Sequence, residues 1–194
     1  ELNKTMQAQI KKKDTYKMGI DTLFNLRRQL MQTLVSFKED LCREDFNAIP
    51  FINADGYHSK TIAYSIWHIF RIEDIVAHTV ITEDEQVFFT GNYQVRINSP
   101  IITTGNELVK QQIADFSKQL NLEELYSYIF EVRESTEKIL ERFSYDELKW
   151  KIPDERKGYL KSLNVVNCDE KAIWLIDYWC SKDIRGLIQM PFSR

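Results

Sequence analysis

The chain has 194 residues and a formal net charge of -3 at pH 7, with 43% hydrophobic and 28% charged residues. This length suits a single domain, residues 1–194, with a sizeable core, and the composition excludes an intrinsically disordered chain. A slightly acidic protein has no general attraction for phosphate backbones, so no nucleic-acid partner is expected. The first 18 residues are expected to form a polar N-terminal arm or helix.

Three cysteines, Cys42, Cys168 and Cys180, are an odd number and lack CxxC spacing. This pattern predicts a reducing compartment and no disulfide framework. No stretch approaches about 18 uninterrupted apolar residues, so we expect no membrane span. Without a signal-peptide pattern, the sequence predicts a cytoplasmic protein.

The first half of the chain predicts two long helices. Apolar residues recur at three- and four-residue spacing over 19–43, as in an amphipathic helix. A second helix is predicted over 59–84 with Ser59 as its N-cap, and it is apolar around most of its circumference, which is typical of a central buried helix. Residues 86–103 contain Gly, Asn and Pro and are predicted to be an irregular connection.

The second half is divided by pairs with the spacing of a capping box, in which two residues satisfy each other's free helix amides. These pairs are Thr104 with Glu107, Asn121 with Glu124, Ser144 with Glu147, and Asn167 with Glu170. They predict helices over 105–119, from 121 to about 143, for two turns after 144, and over 168–189. The predicted fold is an all-α four-helix bundle with short accessory helices and a long crossover connection.

The sequence has only three histidines, and His68 is predicted to point into the bundle from the second helix. Two interpretations stay open: a neutral core histidine with one hydrogen bond, or a metal ligand or general base. His78 lies about 80° around the helix from His68, at 100° per residue, and is predicted to be peripheral or partly buried, not a partner in the site. His58 is predicted to be exposed in a loop.

The last helix carries Asp177 and Cys180 on the same stripe as apolar residues, one turn apart. A buried, unpaired aspartate would cost several kcal/mol, so Asp177 needs a cation, a histidine or a metal, or the helix must rotate it to the boundary of the bundle. In a four-helix bundle the natural partner is His68. The sequence therefore predicts an Asp177–His68 pair inside the bundle.

The segments "IAYSIWHIFRIEDI" and "DIRGLIQ" resemble the DinB/YfiT-like family, and the resemblance covers about residues 19–190. These bacterial four-helix bundles include thiol-dependent S-transferases and mycothiol-dependent maleylpyruvate isomerase. The resemblance implies a divalent metal, often zinc or nickel, bound by one histidine of the second helix and an HxxxH pair of the last. His68 matches the first ligand, whereas Cys180 and Ile184 stand at the other two positions.

This departure leaves two interpretations open. His68, Cys180 and Asp177 form a substituted metal site, or the fold retains the cavity without a metal, which the sequence favours. The pocket would be lined by Tyr64, Trp67, Ile184 and Tyr178.

The resemblance implies a thiol-dependent transferase- or hydrolase-like enzyme, or a relic of one. The alternative is a non-catalytic bundle that binds a small molecule or thiol, or that dimerises through aromatic residues such as Phe88 and Phe89. Whether the chain is an enzyme stays open at this point.

Overall fold

The computed structural model describes residues 1–51, 53 and 59–189. Within these residues all regular structure is helical, and one isolated antiparallel bridge joins Lys151 to Asp183. The elements in chain order are α1 (Leu2–Gln9), α2 (Tyr16–Asp40), α3 (Arg43–Asn47), α4 (Ile62–Asp74) followed by a π-helical segment (Ile75–Thr82), α5 (Val87–Thr90), α6 (Tyr93–Ile97), α7 (Gln111–Gln119), α8 (Leu122–Glu141), a 3₁₀ turn (Glu147–Lys149), α9 (Glu155–Ser162), α10 (Glu170–Cys180) and α11 (Ile184–Gln189). The predicted all-α class is confirmed, whereas a four-helix bundle of DinB type stays a prediction.

Several predicted elements are present close to their expected positions. The helix predicted over 19–43 is present as α2, and the helix predicted from 121 is present as α8. The side chain of Asn121 accepts a hydrogen bond from the backbone N–H of Glu124 at 3.3 Å and caps α8. Amphipathic spacing and a capping residue were sufficient signals at these places. None of the described helices is both long enough and apolar enough to cross a membrane.

The central helix is confirmed, but it begins later than predicted and changes its winding. Thr61, not Ser59, is the N-cap, because its hydroxyl accepts from the backbone N–H of Tyr64 at 3.0 Å. After Asp74 the helix widens into the π-helical segment, which ends at Glu83 in the left-handed conformation (φ 61°). Residues 70–80 are all buried, as expected for a helix packed on every side.

The segment 103–110 is not the helix that the Thr104–Glu107 spacing predicted. Glu107 instead accepts a hydrogen bond from the Thr103 hydroxyl, and Gly105 takes a left-handed conformation (φ 76°) that ends any helical turn. Helix α7 therefore starts only at Gln111. We call residues 103–107 the strap, because they cross α4 at Tyr64 and His68.

The last predicted helix, 168–189, is interrupted. Helix α10 ends at Cys180, and Asp183 begins α11 by accepting a hydrogen bond from the backbone N–H of Gly186 at 2.7 Å. The N–H of Ile184 bonds to the carbonyl oxygen of Trp150 at 3.1 Å, outside any helix. These two bonds replace the helical pattern between the segments, and the chain can change direction there.

Smaller differences occur in the other connections. The segment 86–103 contains the short helices α5 and α6, which are separated and terminated by Asn92 and Asn98 in left-handed conformations. Ser144 and Glu147 do form both bonds of a capping box, but they open a single 3₁₀ turn. Asp169, not Asn167, caps α10.

The core has two parts that share the long helices. One contains α1, the π-helical segment, the end of α8, and helices α9 to α11. The other surrounds α4 with α3, α5, α6, α7 and the beginning of α8. Helices α2 and α8 contribute to both parts and hold them together.

A buried polar cluster attaches the long connection to the central helix. Arg71 donates to the carbonyl oxygen of Ile102 at 3.0 Å and to the side chain of Gln86 at 2.6 Å. Asp74 accepts from the backbone N–H groups of Val87 and Phe88, both at 2.9 Å. Because α5 and the strap depend on these bonds, the cluster determines where the connection crosses α4.

Candidate functional site

The structure places Asp177 on the outer surface, not on a buried stripe. Its side chain is 78% exposed, and its Oδ1 accepts from Lys157 Nζ at 2.7 Å. This hydrogen bond, followed by the charge of Lys157, lowers the pKa of the Asp177 carboxyl. The prediction of a buried Asp177–His68 pair is wrong, because α10 buries Leu175, Ile176 and Trp179 and turns Asp177 outward, where Lys157 of α9 is its partner.

Cys180 is half-buried against the core that contains α10 and α11. Burial raises the pKa of its thiol, which disfavours the thiolate that a metal ligand requires. In the described part of the chain, no three His, Cys, Asp or Glu side chains are placed to hold a metal ion. His68, Cys180 and Asp177 are therefore not brought together, and the donors present do not fit a divalent metal.

The predicted pocket residues are also dispersed. Only Tyr64 lies beside His68, with the two rings stacked at 5.4 Å between centroids. Trp67 is fully buried against aromatic rings of the core, and Ile184 is buried in the other part of the core. Tyr178 is partly exposed and pairs with Trp174 on the surface.

The two aromatic residues predicted to form a partner surface do not lie exposed on the surface. Phe88 is fully buried and packs against Trp67 and Tyr128, so it cannot contact a partner. Phe89 is half-buried beside it. A dimer through these two rings is not supported by their positions.

His68 itself is half-buried on α4 and is held by the strap. Its Nδ1 lies 2.7 Å from the carbonyl oxygen of Thr104. A carbonyl can only accept, so Nδ1 carries the proton and Nε2 is the basic nitrogen of the neutral ring. Stacking on Tyr64, whose hydroxyl bonds to the carbonyl oxygen of Gly105 at 2.8 Å, fixes the ring plane.

The strap brings the carboxylate of Glu107 to this neighbourhood, and Lys60, which precedes α4, lies there as well. Oε2 of Glu107 is buried and has no hydrogen-bond partner among the described residues. Burial, followed by the charge of Glu107, raises the pKa of the Tyr64 phenol. Lys60 Nζ lies 4.9 Å from the centre of the Tyr64 ring, and partial burial lowers the pKa of its ammonium group.

This arrangement combines an imidazole with a fixed tautomer and a carboxylate oxygen that needs a donor. Such an oxygen is costly to bury and is satisfied when a ligand or water donates to it. The site can therefore accept protons and hydrogen bonds from a small polar molecule. Sequence reasoning identified His68 but assigned Glu107 to a helix cap, because the box spacing alone does not distinguish a strap from a helix.

The structure buries His78 more deeply than the peripheral or partly buried position that was predicted. Only 6% of His78 is exposed. Its Nδ1 lies 2.7 Å from Oδ1 of Asp84, and its Nε2 lies 3.0 Å from Oγ of Ser135. The π-helical winding and the contact with α8 decide this placement, which a regular 100° rotation does not anticipate. His58 lies outside the described residues.

No protein-family model matches this chain, and comparison with curated proteins also found no match. The resemblance to the DinB/YfiT-like family consequently depends on the two short segments of α4 and of α10–α11. The function must be argued from the geometry of the site.

Proposed function

We propose that this chain is a hydrolase- or transferase-like enzyme of DinB/YfiT type, in which His68 is the general base for a small thiol or water. The observation that carries the proposal is the 2.7 Å bond between Nδ1 of His68 and the carbonyl oxygen of Thr104. This bond determines both the tautomer and the ring orientation, which are the two properties that a general base needs.

In the proposed reaction, the S–H or O–H of the nucleophile donates to Nε2 of His68. The proton passes to Nε2 as the sulfur or oxygen attacks an electrophilic carbon of the second substrate. The leaving group then departs with the proton from Nε2. Neutral His68 is regenerated, so the charges balance over the cycle.

The strap supplies the remaining polar contact. Oε2 of Glu107, which is buried without a donor, is suited to accept an N–H or O–H of the substrate. The Tyr64 ring supports one face of His68 and keeps the imidazole from rotating. No metal enters the proposal, because the described donors do not form a three-ligand site.

The test compares three variants with a probe pair, glutathione and 1-chloro-2,4-dinitrobenzene, whose product is measured by absorbance. His68→Gln is expected to lower kcat/KM by about 10²–10⁴-fold, the usual contribution of a general base. Cys180→Ser and Asp177→Asn are matched controls and are expected to retain the wild-type rate, because neither side chain reaches the strap.

A variant His68→Gln with the wild-type rate would contradict the base role. Loss of activity in the two controls instead would favour the substituted site that the sequence suggested. Glutathione binding without turnover, measured by calorimetry and abolished by His68→Gln, would favour the alternative function, a non-catalytic small-molecule-binding bundle.

A further inference from the structure

His78, the nearby Asp84 and the distant Ser135 form a second hydrogen-bonded chain, separate from His68. Ser135 on α8 lies 3.0 Å from Nε2 of His78, and Nδ1 of His78 lies 2.7 Å from Oδ1 of Asp84. His78 is ten residues beyond His68, which corresponds to roughly 15 Å along a helix. This cluster is not used by the proposed function.

The local backbone explains why Asp84 can reach His78. The π-helical segment ends at Glu83 in a left-handed conformation, which turns the chain back, and the N–H of Asp84 bonds to the carbonyl oxygen of His78 at 3.0 Å. The hydroxyl of Thr82 donates to the same Oδ1 of Asp84 at 2.7 Å. The carboxylate is consequently held against Nδ1 even though its side chain is 54% exposed.

These contacts determine where the protons are. The Asp84 carboxylate accepts at Nδ1, so the neutral His78 ring carries its proton there and accepts the Ser135 hydroxyl proton at Nε2. This is the arrangement of a nucleophile, a base within hydrogen-bond reach, and a third group that orients the base. Oδ1 of Asp74 lies 3.9 Å from Nε2, so a second carboxylate faces the imidazole.

The cluster opens onto a surface depression of about 400 Å³, which is large enough for a small ligand. Its lining includes Ser135 and His78, three glutamates (Glu85, Glu131 and Glu134) and a single lysine, Lys138. The excess of carboxylates favours uncharged or cationic ligands over anions. Two donors in the same lining could stabilise a developing oxyanion only by exchanging a present partner: the ammonium group of Lys138, which is paired with Glu134 at 2.6 Å, and the hydroxyl of Thr90, which bonds to backbone carbonyl oxygens at 3.4 Å.

From this geometry we propose that Ser135 is an acyl-accepting nucleophile with His78 as its base and Asp84 as the positioning residue. The substrate class is a short-chain carboxylic ester of an uncharged or cationic alcohol. The reaction is hydrolysis of that ester through an acyl-serine intermediate. It is a second activity, at a site distinct from His68.

Each step balances. Oγ of Ser135 bonds to the carbonyl carbon while its proton passes to Nε2 of His78, and the carbonyl electrons move to oxygen. When this intermediate collapses, the carbon–alkoxy bond breaks, and the alcohol leaves with the proton from Nε2. Water then gives a proton to Nε2 and attacks the acyl carbon, after which Ser135 recovers that proton. The net reaction converts ester and water into acid and alcohol.

The experiment uses diisopropyl fluorophosphate, which forms a stable bond with activated serines, and locates the adduct by peptide mass spectrometry. Wild-type protein is expected to carry one adduct, on Ser135, and Ser135→Ala is expected to carry none. Ser127→Ala is the matched control, because Ser127 lies on the same helix but bonds to the carbonyl oxygen of Glu123; it is expected to label normally.

The roles of His78 and Asp84 are tested by the rate at which Ser135 is labelled in their variants. His78→Gln is expected to slow labelling by about 10²–10⁴-fold. Asp84→Asn is expected to slow it and Asp84→Glu to restore part of the rate, which a purely structural role for the carboxylate would not produce. Hydrolysis of p-nitrophenyl acetate should follow the same order.

The proposal is overturned if the wild-type protein is not labelled, or if the adduct lies on another serine. It is also overturned if Ser135→Ala hydrolyses p-nitrophenyl acetate as fast as the wild type. Because Ser135 is half-buried on a helix surface, its alanine variant is expected to fold, so the test does not depend on the buried His78. A loss of glutathione transfer in His68→Gln, with labelling of Ser135 unchanged, would concern only the function proposed for His68.

Discussion

Asp74 offers the sharpest test of how the long connection is held on the central helix. The side chain is completely buried, and it accepts hydrogen bonds from the backbone N–H groups of Val87 and Phe88 and from the hydroxyl of Tyr128, each at 2.9 Å. One oxygen also lies 3.4 Å from a guanidinium nitrogen of Arg71, which is itself fully buried. Asp74→Ala would leave a buried cation and three donors without this acceptor.

The expected loss follows from these contacts. Removing one partner of a buried ion pair costs about 3–5 kcal/mol, and each buried donor left unsatisfied costs about 1–3 kcal/mol more, although such terms do not add fully. We therefore expect Asp74→Ala to lower the free energy of unfolding by about 4–6 kcal/mol, a large fraction of the roughly 5–15 kcal/mol of a typical domain. Asp74→Asn retains one acceptor oxygen and should lose less.

The assay is urea unfolding followed by circular dichroism, with Asp177→Ala as the control. That carboxylate is exposed and paired only with Lys157, so its removal should leave the unfolding midpoint unchanged. If Asp74→Ala were as stable as the wild type, the buried cluster would not hold α5, and our account of the crossing would be refuted.

The remaining predictions concern one tyrosine and two glycines. Burial raises the pKa of Tyr126 to about 12. The contribution of this burial to stability is therefore complete below the usual pKa of 10.0 and is lost as the pH rises towards the value in the folded protein. Tyr126→Phe should flatten the fall of Tm at alkaline pH, and an equally steep fall in the variant would contradict this effect of Tyr126. Gly158→Ala should raise stability by about 0.5–1 kcal/mol, because nothing lies within 4 Å of the added carbon on α9. Gly105→Ala should lower it by about 1–2 kcal/mol, since φ is +76° and the new carbon would lie 3.1 Å from the Tyr64 ring. Equal effects at the two glycines, measured by urea unfolding, would disprove the stated reasons.

The comparison of His68 with His78 shows how far sequence reasoning reaches. His68 was predicted to point into the bundle, and the structure places it half-buried on α4, stacked on Tyr64 and bonded to the strap. The partner that fixes its tautomer, the carbonyl oxygen of Thr104, has no sequence signal, because every residue carries a carbonyl. For His78 the prediction of a peripheral or partly buried residue missed its contacts with Asp84 and Ser135, which depend on the π-helical winding and on the packing of α8.

The sequence by itself determined the all-helical class, the positions of α2 and α8, and the N-cap at Asn121, because apolar periodicity and capping depend on residues within a few positions of one another. Only the tertiary structure decided which side chains meet. Asp177 lies on the outside because α10 packs its opposite face, with Leu175, Ile176 and Trp179, into the core. Ser135 meets His78 because α8 packs against the central helix. Contacts between residues this far apart in the chain depend on helix rotation and packing, which local spacing does not encode.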